Sequence, residues 1–222
     1  MTGILRPKPG FRCGPRALLV LTEPDLRYWQ KAWAFPQQKR LFLSEIHYGP
    51  LGALAGPALG APQAAMLMEN LIAAGAREFL VYGWAGALDA QVPLGSLWVV
   101  EKAFSAEGTA PHYLAQESFS WRPSPWLRSL LQKIGPGQAT VVSTDAPYRE
   151  TPDFCRKWAS LARLIDMETS ALYALAHFYQ VSMAVLLVVS DRVWPVPEKA
   201  SRKILTAVRR GLTPVFSSFW EE

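Results

Sequence analysis

Short apolar runs alternate along the chain with helical patterns that begin at proline and end at glycine. Residues 17–22 and 184–190 are apolar runs of strand length, whereas residues 62–74 form a helical pattern between Pro62 and Gly75. Proline suits the first turn of a helix and glycine suits the position just after its last turn. Strands that alternate with helices predict an α/β fold in three αβα layers, with a central mixed sheet covered by helices on both faces.

The same pattern predicts the order of the elements along the whole chain. Strands are expected at 17–22, 41–48, 51–55, 78–82, 96–104, 138–143, 164–165 and 184–190. Helices are expected at 24–33, 62–74, 124–134, 152–162, 166–178 and 197–210. Because proline and glycine clusters lie at element ends and no linker or repeat is present, we expect one domain over residues 1–222, with residues 1–15 as an N-terminal arm.

Composition and charge exclude several classes of protein. Half of the 222 residues are hydrophobic and only 18% are charged, which excludes intrinsic disorder. No apolar run approaches the roughly 20 residues of a membrane span, and no apolar stretch follows the basic N-terminus, so we expect neither a membrane protein nor a secretory signal. The net charge of +5 permits nucleic-acid binding, but the basic stretch at 199–210 predicts a solvated helix face, and no nucleic-acid partner is expected.

Cysteine and histidine usage narrows the chemistry further. Cys13 and Cys155 are the only cysteines, which excludes a disulfide framework and makes the reducing cytoplasm the expected location. The three histidines are scattered along the chain, so no metal site is expected. Neither a dinucleotide-binding glycine fingerprint nor a P-loop is present.

Polar residues and a glycine-rich turn follow most of the predicted strands. In an open α/β sheet, ligands bind outside the carboxyl ends of the strands, where such groups converge. The groups expected at this edge come from seven segments: Glu23, Asp25 and Arg27, the turn at 83–86, residues 107–109, Thr144 and Asp145, residues 148–150, residues 166–168 and residues 190–192. Their convergence predicts a ligand-binding site.

Six segments of the chain carry a resemblance to a known family. They are GPALGAPQAAMLMENLIAAGAREFLVYGWAGAL at 56–88, PLGSLWVV at 93–100, EGTAPHY at 107–113, STDAPYRET at 143–151, LIDMETSALYALA at 164–176 and LLVVSD at 186–191. In this order they resemble the nucleoside phosphorylase family, which includes purine nucleoside and uridine phosphorylases and the methylthioadenosine/S-adenosylhomocysteine nucleosidases. The resemblance covers most of residues 17–191.

The resemblance implies a phosphorylase/hydrolase-like fold that cleaves the N-glycosidic bond of a nucleoside, with a purine favoured. It implies no cofactor, with phosphate as the co-substrate. A nucleosidase that uses water, and a catalytically idle nucleoside-binding protein, are the alternatives. A homo-oligomer, from dimer to hexamer, is expected from the family's habit and from apolar residues at 51–57, and Lys39 and Arg40 could reach a neighbouring subunit's site.

Three residues carry the expected sugar and base chemistry. Glu168, at a predicted helix start, can accept hydrogen bonds from two vicinal hydroxyls, and Met167 offers a soft apolar wall. The resemblance assigns both to ribose binding. Asp191 ends the most apolar strand, where an apolar wall favours a protonated carboxyl group. The resemblance assigns to Asp191 the protonation of the leaving base.

The expected phosphate site departs from the family pattern. Gly86 lets the backbone approach a ligand closely, but Trp84 stands where the family usually has Ser or Thr, and Val81 stands where phosphorylases usually have Arg. Trp84 is therefore expected to fill part of that site or to stack on base or sugar. Arg27 is the remaining phosphate candidate.

Acidic and aromatic residues complete the expected site. Glu23 stands where the family's turn has glycine, and Glu23 or Asp25 would activate water in a nucleosidase. Tyr148 is expected to pack on the base and Glu107 to lie at the substrate pocket. The neighbours Arg149 and Glu150 either pair with each other or contact the substrate.

Overall fold

A mixed sheet and six helices make up the described residues, 4–120 and 123–220, of the computed structural model. The strands are β1 (Arg16–Val20), β2 (Gln37–Leu41), β3 (Ser44–Tyr48), β4 (Gly52–Gly56), β5 (Glu78–Ala87), β6 (Leu97–Ala106), β7 (Ser118–Ser120), β8 (Gly137–Thr144), β9 (Leu164–Asp166), β10 (Ser182–Arg192) and β11 (Glu198–Lys199). The helices are α1 (Glu23–Ala32), α2 (Ala61–Ala74), α3 (Pro125–Gln132), α4 (Pro152–Ala159), α5 (Thr169–Tyr179) and α6 (Arg202–Ser217).

Strand β5 lies at the centre of this sheet. It pairs in parallel with β1 and β10 and antiparallel with β9. Because β10 also pairs with β6, and β6, β8 and β9 are joined in turn, five strands close into a ring in the order β5-β10-β6-β8-β9. The sheet continues from β1 through β4 to the hairpin of β3 and β2. The predicted mixed sheet is confirmed.

The two faces of the sheet bury different helices, as the alternation of side chains along a strand requires. In β1, Ala17 and Leu19 face a core with α2 and α5, whereas Leu18 and Val20 face a core with α1, α3 and α6. Trp29 of α1 is fully buried in this second core. The predicted layers of helices on both faces are thus present.

Strand β5 continues through the segment predicted as a glycine-rich turn. The parallel ladder with β10 extends as far as Ala87, so the backbone of this segment is paired. A Cβ atom added at Gly83 would lie 2.7 Å from the Leu21 side chain, and one added at Gly86 would lie 2.4 Å from that of Val193. The glycines therefore allow close packing inside a strand, and the turn prediction is wrong.

Two other predicted elements differ from the structure. The predicted strand at 41–48 is a hairpin of β2 and β3, which turns at Phe42 with a φ of 53°. The helix predicted at 197–210 begins at Arg202, because Ser201 caps it by accepting the Ile204 N–H, and it runs on to Ser217. Glu198 and Lys199 instead form β11, which pairs with the end of β10.

The apolar segment at 51–57 is not the exposed surface that the oligomer prediction assumed. Strand β4 is buried throughout, and Leu51 beside it is half exposed. Exposed apolar side chains elsewhere include Phe42 and Leu43 in the β2–β3 turn and Leu59 before α2. Over the described residues, no helix combines the length and apolarity that crossing a membrane requires.

Candidate active site

A cavity of about 280 Å³ opens at the carboxyl ends of β1, β5, β9 and β10, and we call it the strand-end cavity. Predicted site residues that line it are Trp84, Gly86, Met167, Glu168 and Asp191. They come from three segments far apart in the sequence, and the sheet brings them together as the position of ligand sites in α/β folds predicts.

The turn between β9 and α5 places Met167 and Glu168 in the cavity. Asp166 ends β9 and accepts hydrogen bonds from the Thr169 N–H at 3.0 Å and from the Thr169 hydroxyl, so it binds the first residue of α5. The other oxygen of Asp166 accepts from Ser143 Oγ at 2.5 Å, which ties the turn to the end of β8. The two residues between these anchors are therefore held in a fixed orientation.

Glu168 is buried and bound to the start of α2. Its Oε1 atom accepts a hydrogen bond from the Gly60 N–H at 2.6 Å. Gly60 has a φ of 83°, a backbone conformation that favours glycine. Burial, and then the charge of Asp166, raise the pKa of Glu168 to about 8. Burial also raises the pKa of Asp166. Burial at this position therefore favours the protonated form of the Glu168 carboxyl group.

Asp191 lines the same cavity at the end of β10. Its Oδ1 atom accepts a hydrogen bond from Ser190 Oγ at 2.6 Å. A Cβ added at Gly86 would lie 3.5 Å from the other carboxyl oxygen, so this glycine leaves room for the Asp191 side chain. Glu150 lines the same cavity, and burial together with the charge of Asp191 raises the pKa of Glu150 to about 7.

Trp84 is fixed by a buried ion pair. Its indole Nε1 donates to Asp25 at 2.7 Å, and Arg209 Nε donates to the other oxygen of Asp25 at 2.5 Å. The hydroxyl of Thr22 also donates to Asp25, which is fully buried. Arg209 therefore neutralises a buried carboxylate, and its prediction as a solvated helix residue is wrong.

Trp84 also separates the strand-end cavity from a second, larger cavity. We call this the basic cleft; it has a volume of about 760 Å³. Lys199, Arg202 and Arg209 line it together with Asp191, which borders both cavities. A cleft with this charge favours anions.

Arg27 and its acidic neighbours do not line the strand-end cavity. Arg27 is half exposed and pairs with Glu45 at 3.2 Å and with Glu23 at 3.5 Å. Its charge is therefore already shared by two carboxylates, which does not fit the prediction of a phosphate ligand. Glu23 is exposed, and Asp25 is engaged by Arg209 and Trp84, so neither is placed to activate water in the cavity.

Glu107 and Tyr148 are the other predicted site residues that lie outside the cavity. Glu107 is buried and accepts hydrogen bonds from Ser105 Oγ and Ser170 Oγ, each at 2.8 Å, and from backbone N–H groups of its own turn. Its carboxylate anchors that turn to α5. Tyr148 is fully exposed, and Pro147 beside it lines the cavity instead.

Sequence reasoning missed the roles of two residues. The Gly60 N–H donates to Glu168. The sequence feature that could have indicated this role is a glycine directly before the start of α2, where the backbone must turn. Glu150 was left undecided between a pair with Arg149 and a contact with substrate, and the structure shows no ion pair between these two described residues. Within residues 4–120 and 123–220, no group of three or more His, Cys, Asp or Glu side chains is placed to hold a metal ion.

Comparisons with known proteins agree with this architecture. A family model described as "Phosphorylase superfamily" matches residues 24–210. A guanosine phosphorylase of Halorubrum lacusprofundi is 28% identical over 177 residues, which cover 71% of this chain and 72% of that protein. The matched segment spans between 57% and 72% of the length of the curated relatives, so for some it is less than two thirds.

Solved structures share the fold over almost the whole chain. The purine nucleoside phosphorylase of Toxoplasma gondii, solved with immucillin-H, has a TM-score of 0.77 and 16% identity, and the match covers 99% of this chain and 97% of that one. A futalosine hydrolase mutant of Helicobacter pylori has a TM-score of 0.74 and 13% identity, covering 93% of this chain and 98% of that one. The TM-scores show a common fold, and at identities this low the comparison extends to the fold alone.

Proposed function

Because the chain belongs to the phosphorylase superfamily, we propose that it cleaves the N-glycosidic bond of a purine nucleoside in the strand-end cavity. The observation that carries the proposal is that Glu168 and Asp191 line the same cavity from two different strand ends. This reaction requires a group that holds the sugar and a group that protonates the base, since the sugar becomes oxocarbenium-like as the base leaves.

Glu168 and Met167 hold the ribose in this proposal. Glu168 Oε1 is already fixed by the Gly60 N–H, so the second oxygen remains for the sugar hydroxyls. Hydroxyl donors stabilise the ionised carboxylate, and binding of a ribose therefore lowers the pKa of Glu168 and releases a proton. Met167 packs against the sugar as an apolar wall.

Asp191 protonates the leaving base in this proposal. It lines the same cavity as the β9–α5 turn, and the Ser190 hydroxyl orients its carboxyl group. Proton donation of this kind contributes about 10²–10⁴-fold to a rate. No cofactor is needed, because positioning and electrostatic stabilisation supply the rest. The name of the guanosine phosphorylase relative supports a purine base.

Inorganic phosphate is the attacking group in the first form of the proposal. The name of that relative supports it, and so does the basic cleft, which Lys199 and Arg202 line and which shares Asp191 with the strand-end cavity. Water is the second candidate, because three features remove the expected phosphate ligands. Val81 is buried in the core, Trp84 is fixed on Asp25, and Arg27 is paired with two carboxylates.

A nucleoside panel assayed with and without phosphate tests the function. Release of free base only when phosphate or arsenate is present identifies a phosphorylase, and release in phosphate-free buffer identifies a nucleosidase. Thermal stabilisation by nucleosides without any base release would contradict catalysis and identify a binding protein. Guanosine, inosine, adenosine and uridine together report which base the cavity accepts.

We also propose that the chain assembles as a homo-oligomer. Phe42 and Leu43 in the β2–β3 turn and Leu59 beside the cavity are each more than half exposed. Exposed apolar side chains of this size are typical of a surface that a partner covers. Light scattering should give a mass at least twice 24.7 kDa, and Phe42→Ser with Leu43→Ser should lower it.

A further inference from the structure

The two cavities that meet at Trp84 differ in the charge of their walls. Four carboxyl groups line the strand-end cavity, those of Glu150, Asp166, Glu168 and Asp191. The described residues that line this cavity include no Lys, Arg or His. Three cations line the basic cleft, those of Lys199, Arg202 and Arg209, and Asp191 is the one acid among its described lining residues. An anionic group is therefore attracted to the basic cleft rather than to the strand-end cavity.

Arg209 is a fixed hydrogen-bond donor in the wall of the basic cleft. Its Nε donates to the fully buried Asp25 at 2.5 Å, and the centre of its guanidinium lies 5.5 Å from the centre of the Tyr28 ring. Among the described residues, the terminal guanidinium nitrogens of Arg209 have no hydrogen-bond partner. A guanidinium that is held through Nε keeps its terminal N–H groups for a ligand, and their planar arrangement suits the oxygens of a phosphate group.

Lys199 and Arg202 flank this donor on a short segment whose backbone is held in place. Lys199 lies directly opposite Asp191 in the antiparallel pairing of β11 with β10. Arg202 begins α6, whose start is fixed because Ser201 accepts the Ile204 N–H at 3.3 Å. Within the described part of the chain, neither the Lys199 nor the Arg202 side chain forms an ion pair, so both charges remain for a ligand.

The positions at which the sequence predicts a phosphate site offer no such charge. Val81 is buried in the core, and Trp84 presents an indole whose N–H is already bound to Asp25. Arg27 is paired with two carboxylates and does not line either cavity. The cations that border the site are therefore supplied by β11 and α6.

We propose that the basic cleft binds a phosphate group, with the Arg209 guanidinium as the fixed donor and Lys199 and Arg202 as the flanking cations. The phosphate is either inorganic phosphate or a phosphate ester on the nucleoside, since both present the same oxygens. Its place next to Asp191 rests on the proposed function, whereas the binding itself does not depend on catalysis. The cleft, at about 760 Å³, has room for either ligand.

Calorimetric titration of the full chain with inorganic phosphate, in the absence of nucleoside, tests the site. Lys199→Gln and Arg202→Gln should each weaken phosphate binding by about fivefold or more, because each removes a charge-assisted contact. Arg209→Lys keeps a cation for Asp25 but loses the planar donor, and it should weaken binding by a similar factor. Urea unfolding of each variant shows whether it is folded, and the two exposed positions, 199 and 202, decide the outcome if Arg209→Lys is not.

Lys203→Gln and Arg210→Gln are the matched controls. Both residues are exposed on α6 and do not line the basic cleft, so each control removes the same charge from the same helix. At an ionic strength of about 0.15 M, phosphate affinity should change by less than about twofold in both controls, because exposed charges outside the cleft are screened. Equal losses in the controls and in the cleft variants would overturn the proposal, since they would show only the attraction of a basic surface. The absence of phosphate binding by wild type would overturn it as well.

Guanosine and guanosine 5′-monophosphate distinguish the two sources of the phosphate. If the ligand is inorganic phosphate, saturating guanosine should leave phosphate binding intact, and the monophosphate should bind no more tightly than guanosine. If the phosphate belongs to the nucleoside, the monophosphate should bind about tenfold more tightly than guanosine and compete with phosphate. Lys199→Gln should remove that advantage. A tighter monophosphate that is insensitive to Lys199→Gln and Arg202→Gln would contradict the basic cleft as the site.

These measurements separate the cleft from the proposed function. A protein that cleaves no nucleoside but binds phosphate through Lys199 and Arg202 confirms the site and contradicts the proposed function. A protein that releases base from guanosine but has no affinity for phosphate or for the monophosphate beyond that for guanosine overturns the site and leaves the proposed function standing, with water as the attacking group.

Discussion

Replacing Glu168 with glutamine should change the pH dependence of stability. In the folded protein the pKa of Glu168 is raised from 4.5 to about 8, whereas the unfolded chain keeps the ordinary value. The folded state then binds the proton more tightly than the unfolded chain. The contribution of this proton to the free energy of unfolding is therefore fully present below pH 4.5 and is lost as the pH rises toward 8. The glutamine side chain of the Glu168→Gln variant does not titrate, and its amide oxygen can still accept from the Gly60 N–H.

The size of the effect follows from the two pKa values. Ionising a group whose pKa is raised from 4.5 to about 8 costs on the order of 4–5 kcal/mol. The repulsion between Glu168 and Asp166 is already part of this cost. Urea unfolding followed by tryptophan fluorescence should show similar stabilities at pH 4.5 and a variant more stable by several kcal/mol at pH 9.

A control variant and a second measurement test this prediction. Glu23→Gln changes the same charge at an exposed position and should leave the pH dependence of unfolding close to that of wild type. If the Glu168→Gln and wild-type stabilities stay parallel from pH 4.5 to 9, then burial does not hold a proton on Glu168. The assigned proton release on ribose binding, measured by calorimetry in buffers of different ionisation enthalpy, would then also be absent.

Three further substitutions test the packing around the site. Gly86→Ala should lower stability by about 1–3 kcal/mol in urea unfolding, because its Cβ would lie 2.4 Å from the Val193 side chain; Gly211→Ala, with open space around it, should not. Arg209→Met should cost about 3–5 kcal/mol by leaving Asp25 buried and unpaired, whereas exposed Arg210→Met should change little, and equal effects would contradict a buried ion pair. Trp84→Ser should join the strand-end cavity to the basic cleft and tighten phosphate binding in calorimetry; an unchanged affinity would mean that Trp84 does not exclude phosphate.

The sequence predicts an element well where the hydrophobic periodicity agrees with the proline and glycine residues at the ends of that element. Pro62 and Gly75 mark the ends of α2 almost to the residue, because proline and glycine act through local backbone geometry. The pattern fails where a distant partner decides the structure. Gly83 and Gly86 indicate a turn locally, but β10 supplies a ladder that keeps this segment extended.

The residues of the candidate site also fall into those that local sequence predicts and those whose role depends on a distant residue. Met167 and Glu168 are predictable because they lie at a predicted helix start within the segment LIDMETSALYALA, which resembles the family, and Asp166 fixes that helix start through Thr169, three residues away. Asp25 is not, because its role depends on Arg209, which is 184 residues away. On sequence alone Asp25 is a first-turn helix acid and Arg209 a solvated base, and each assignment is reasonable for an isolated helix.

Glu150 shows why sequence motifs alone do not identify every residue that lines a cavity. Its neighbour Arg149 offers a local ion pair, which satisfies a carboxylate on sequence grounds. The 3₁₀ turn Pro147–Arg149 instead leaves Arg149 and Tyr148 exposed and brings Glu150 to the wall of the strand-end cavity, which Asp191 also lines. The conformation of one backbone turn decides which of the adjacent side chains Tyr148, Arg149 and Glu150 faces the cavity. Asp191 lines the same cavity only because β10 pairs with β5.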